Sequence, residues 1–113
     1  MAQNRNKLID LFISNLSNAV LHRILEKAIS DIEIMQKYSK EIKNSWQIAL
    51  NYREKINPID MPLPNKDIEE IKRRASNRVK SDLLIRISKG YKNIDISLID
   101  QFINNALKEL RAI

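Results

Sequence analysis

The chain has 113 residues, enough for one domain, and carries 20 Lys+Arg against 14 Asp+Glu for a formal net charge of +6. With 43% hydrophobic residues it has the composition of a folding chain, and wholesale disorder is excluded. The absence of Cys excludes a disulfide framework, a thiolate nucleophile and any Cys-ligated zinc or iron–sulfur centre.

The first apolar stripe, Leu8, Ile9, Phe12, Ile13 and Leu16, predicts a helix over about 4–15. Asp10 interrupts it and no small-residue cleavage site follows, so it does not read as a signal peptide. The polar run Ser14 to Asn18 then reads as a turn, because such side chains compete for backbone hydrogen bonds.

From Leu21 the apolar residues Leu25, Ala28, Ile32, Met35, Ile42, Trp46, Ala49 and Ile56 follow alternating steps of four and three. Only Ser39 and Arg53 break that seam, which predicts a long helix over about 18–56. At 1.5 Å per residue it would approach ~60 Å. A break near Ser39 or Asn44–Ser45, or pairing with another chain, is expected to resolve that length. Tyr38, Ile42, Trp46 and Tyr52 are the candidate partner interface on it, since Trp and Tyr are typical anchors.

Pro58, Pro62 and Pro64 make 57–64 an extended connection, because proline removes a helical donor and restricts the residue before it. The next helix is predicted over 65–89, with Asn65 as its N-cap, Ile68, Ile71, Ala75, Val79 and Leu83 as its buried face, and Gly90 ending it. Asp82 and Arg86 fall on that inward sector, spaced to pair with each other. A last helix over 97–112 opens with the capping-box-like Ser97-Leu98-Ile99-Asp100. No alternating strand pattern longer than Ile94-Asp95-Ile96 occurs, and no internal repeat. The expected fold is all-α: a small bundle of about four helices, one of them long or broken, acting in an oligomer or complex.

Charge is concentrated in residues 65–92, which hold nine Lys/Arg and four Asp/Glu. Within Ile71 to Lys80 (IKRRASNRVK) there are five cations and no acid: Lys72, Arg73, Arg74, Arg78 and Lys80. Arg74 and Arg78 share one flank of the buried stripe, Arg73 and Lys80 the other, a placement that could straddle a phosphate backbone without sequence preference. The alternative is a solvated or protein-facing basic flank. No aromatic interleaves the cations as base stacking would need.

Chemistry is otherwise sparse. His22 is the only His, so no two-His zinc motif exists, and a single Gly excludes glycine-rich phosphate loops. No catalytic residue, metal site, cofactor or small-molecule substrate is expected, and the longest apolar runs, of three residues, exclude a bilayer span. The expected setting is cytoplasmic.

The stretch ASNRVKSDLLIRISK (75–89) and, after a short connection, ISLIDQFI (96–103) resembles the helical domain of GINS replication subunits. Arg86 and Lys89 match that family's R-x-x-K-like step, and Ser97 and Asp100 match the opening of its next helix. The resemblance covers only 75–103 and implies a non-catalytic subunit of a replicative helicase assembly in DNA replication. The residues thus leave two expectations. One is a basic helical subunit meeting phosphate or an acidic partner through the 66–92 helix. The other is a structural module self-associating through the 21–56 helix.

Overall fold

The computed structural model describes residues 4–113, and among these every regular element is helical. α1 spans Arg5–Ala28, α2 Ile32–Ile56, α3 Asn65–Ser88 and α4 Ile99–Glu109, the last preceded by a 3₁₀ turn at Ile96–Leu98. The all-α expectation holds, and the proline connection lies where the prolines put it.

The first two predicted helices need correction. α1 does not stop at Asn15 but runs through Ser14 to Asn18 without a break. Its polar side chains find partners on the helix itself: Asn15 Nδ2 donates to the Leu11 carbonyl at 2.8 Å. The long 18–56 helix does not exist as one piece, and it breaks at neither Ser39 nor Asn44–Ser45. The chain turns at Ile29 to Asp31, where Asp31 caps α2 by accepting from the Glu33 and Ile34 amides at 2.9 and 3.2 Å. A 44 Å longest dimension leaves no room for a ~60 Å helix. α2 folds back along α1, and the seam that could have met a second chain meets the first helix of its own.

α1 is the centre of the bundle and packs against α2, α3 and α4. Leu8, Ile9, Phe12, Ile13, Leu16, Ala19, Val20, Leu21, Ile24 and Leu25 are all buried, more than half the circumference of the helix. At roughly 1.5–3 kcal/mol for each large apolar side chain, this helix is the main hydrophobic contribution to stability. α2, by contrast, buries only Ala49 and Arg53 completely.

α3 presents the inward face expected of it, Ile68, Ile71, Ala75, Val79 and Leu83. Its N-cap, however, is Pro64, which has no side chain to offer, and Asn65 is the first helical residue. At the other end Gly90 takes φ +98°, the Gly90 amide donates to the Ile87 carbonyl at 3.0 Å and the Tyr91 amide to the Arg86 carbonyl at 3.1 Å. This is the Schellman arrangement that only a left-handed residue permits. α4 is shorter than predicted. Asp95, not Ser97, caps its approach by accepting from the Ser97 amide at 3.0 Å, while Asp100 accepts from Ser76 Oγ at 3.3 Å and ties α4 to α3.

Candidate functional surface on the third helix

α3 lies beside α1 and runs in the same direction, as the pairs Arg5–Asp67 and Asp10–Arg74 establish. Two of its charged side chains are committed to that contact. Asp67 accepts both guanidinium nitrogens of Arg5, which holds its carboxyl below the usual carboxylate range. Arg74 is half-buried, 2.8 Å from Asp10 and 3.8 Å from Glu70. Its charge is matched inside the chain, and it leaves the set of cations free to meet a partner.

The other four predicted cations stand differently. Lys72, Arg73, Arg78 and Lys80 are all exposed, and among the described residues none has a carboxylate within 4.0 Å. From Lys72 to Lys80 the helix advances about 12 Å, so four unmatched positive charges sit on one rigid rod. Its rigidity comes from the buried residues Ala75 and Val79 between them.

Asp82 and Arg86 are both half-buried, as their inward sector implied, but they form no ion pair with each other. The Arg86 guanidinium instead lies 5.8 Å from the Tyr91 ring centre, and its Nε finds no acceptor.

Tyr38, Ile42, Trp46 and Tyr52, the predicted partner interface on α2, are half-buried. Trp46 is covered by the Arg23 guanidinium at 4.5 Å, and Tyr38 tilts against the His22 ring at 5.4 Å. His22 has the Asn18 carbonyl 2.7 Å from Nδ1 and a Glu41 carboxylate oxygen 2.7 Å from Nε2. His22 thus reads as a clip between α1 and α2.

One residue with a decisive role escaped the sequence reading. Arg53, which looked like a flaw in the seam, is fully buried. Its Nε and Nη2 donate to the Arg111 carbonyl at 3.2 and 2.8 Å, Nη1 to the Asn57 carbonyl at 3.3 Å and to the Asn57 side chain, and Nη2 to the Met61 carbonyl. Burial, and after it the charge of Arg111, lower its pKa from the ordinary arginine range, yet the guanidinium stays charged. The signal was available: position 53 falls on the inward sector of α2, where a polar residue must be satisfied.

Among the described residues no group of three or more His, Asp or Glu is placed to hold a metal ion. No helix among them is long and apolar enough to cross a membrane. No protein-family model, curated protein or solved structure matches this chain at a significant level.

Proposed function

We propose that the chain is a non-enzymatic helical subunit of a nucleic-acid-associated assembly and that α3 meets the phosphate backbone. The observation that carries this reading is the set Lys72, Arg73, Arg78 and Lys80, exposed on one helix and unmatched by acids among the described residues. Cations carried on a preformed helix displace counterions from a polyanion without a backbone ordering cost, and phosphate contacts of this kind dominate nonspecific binding. Without aromatic side chains among the cations, the face would follow the backbone and not read bases. A replication assembly, the setting implied by the GINS-like stretch 75–103, is one in which such a face would be used. Self-association through residues 21–56 is the second reading: part of that seam packs between α1 and α2, while Ile32, Ile34 and Ile48 stay exposed on α2.

The test is fluorescence anisotropy with labelled single- and double-stranded DNA and RNA. Replacing Lys72, Arg73, Arg78 and Lys80 together by Ala is expected to abolish binding at low salt. A control removing Lys37, Lys40 and Lys43 from α2 should leave most of it. Equal loss in both variants would mean that net charge, not this face, drives binding. An acidic protein partner would instead leave nucleic acid unbound at any salt.

A further inference from the structure

The last two turns of α3 differ in character from its middle. Leu84, Ile85, Ile87 and Tyr91 are 45, 52, 37 and 43% exposed, and Ile34 at the start of α2 is 42% exposed. Beside them the turn between α1 and α2 meets the loop after α3 around an open cavity of about 400 Å³, lined by Leu25, Ala28, Ile34, Tyr38, Tyr91 and Ile94. That volume is at the lower end of what accommodates a bulky side chain or small ligand. The surrounding stretch 83–94 contains Arg86, Lys89 and Lys92 and no acid. Asp31 also lines the cavity, but one of its oxygens is occupied in capping α2.

The chain leaves these cations unanswered. Arg86 rests on Tyr91 and forms no ion pair, and Lys89 and Lys92 are exposed without a carboxylate within 4.0 Å among the described residues. Tyr38 belongs to the same group: burial and the neighbouring Tyr91 raise its hydroxyl pKa while Arg86 opposes them. Exposed apolar side chains beside a cavity mark a binding site, and the excess of cations near it, Arg86, Lys89 and Lys92 against Asp31 on the lining, favours an acidic partner by complementarity. A second copy docked here across a two-fold axis would bring three cations against the same three cations, which disfavours self-association. A bare phosphate backbone would satisfy the cations but leave the apolar side chains and the cavity in water.

We propose that this end of the bundle docks a short acidic peptide segment, one bulky apolar side chain entering the Ile34–Tyr38–Tyr91–Ile94 cavity and its carboxylates meeting Arg86, Lys89 and Lys92. The site is separate from the Lys72–Lys80 face, so a partner protein and a nucleic acid could be held on one helix at once.

The test is an amide-resolved NMR titration of the full chain with a synthetic peptide of Asp and Glu interleaved with one Phe and one Leu. Shifts are expected at Ile34, Tyr38, Tyr91 and Ile94. The double variant Lys89→Glu, Lys92→Glu, both on exposed positions, should weaken binding at least about tenfold with an unchanged spectrum of the core. A peptide with its Phe replaced by Ala should weaken comparably. The variant lacking Lys72, Arg73, Arg78 and Lys80 should bind the peptide as before, which separates this proposal from the phosphate reading. Three results would overturn it: no shifts at this end with millimolar peptide, affinity indifferent to charge reversal, or saturation of the same residues by anionic vesicles but not by peptide.

Discussion

The two ends of the bundle are each organised around an arginine beside a Schellman turn, and they resolve it in opposite ways. At the closed end Arg53 buries its guanidinium and donates to the carbonyls of Asn57, Met61 and Arg111, joining α2, the proline connection and the turn after α4. There Arg111 takes φ +59°, the Ala112 amide donates to Leu107 at 2.9 Å, and the Leu63 amide donates to the Ala112 carbonyl at 2.8 Å. At the open end Arg86 sits beside Tyr91, its Nε unpaired, among exposed apolar residues. A guanidinium saturated by the chain's own carbonyls holds the fold together. One that forms no ion pair and lies instead against an aromatic ring has far less of the fold depending on it.

The largest expected effect breaks the closed end. Arg53→Ala removes a fully buried side chain and the donor it gives to the carbonyls of Asn57, Met61 and Arg111, and should cost about 2–5 kcal/mol, a substantial part of the stability of a domain this size. Urea unfolding measures it. Arg86→Ala, at the open end, should cost less than about 1 kcal/mol in the same experiment, because little in the chain depends on its guanidinium. Equal costs at the two ends would erase the distinction between a structural and an available arginine.

A smaller effect of opposite sign sharpens the picture. Arg111 occupies the left-handed region that disfavours a side chain, and its charge also lies against Arg53. Arg111→Gly should relieve both and raise the unfolding free energy, by up to about 1 kcal/mol after the added entropy of glycine in the unfolded chain. The carbonyl that Arg53 uses is backbone and is retained.

The smallest effect concerns the surface pair at the same end, Arg5–Asp67. The folded Asp67 carboxyl is lowered by its hydrogen bond to Arg5 and then by that residue's charge. Its stabilisation is therefore fully present above the ordinary Asp range and is lost as pH falls through the lower folded value. Because Arg5 is about half exposed, at 48%, screening limits the contribution to a fraction of about 1 kcal/mol. Asp67→Asn should remove that acid-side slope, lowering stability at neutral pH by that fraction and leaving it unchanged below the folded pKa.

What could be read in advance follows from how local each signal is. Proline and glycine act on their own residue, so the 57–64 connection and the end of α3 at Gly90 were legible. The turn at Ile29 to Asp31 contains neither, and the apolar seam keeps its phase across it. Leu25 and Ala28 on α1 therefore join Met35 and Ile42 on α2 in one pattern of constant phase, although the chain reverses between them. Arg111 adopts a glycine-like conformation without being glycine, which only the surrounding hydrogen bonds explain. Of the basic face, the positions were legible, but the withdrawal of Arg74 by Asp10 was not, since that pair joins residues distant in sequence. The open end was only hinted at, through the inward placement of Arg86.

The most direct test of the phosphate reading is the slope of binding against salt. For four phosphate contacts on duplex DNA, log K should fall against log salt with a slope of about −3.6, roughly a hundredfold loss between ~50 and ~200 mM. In the variant lacking Lys72, Arg73, Arg78 and Lys80 the slope should collapse toward zero together with the affinity. A slope that survives those four substitutions would contradict the assignment of α3 as the phosphate-binding face.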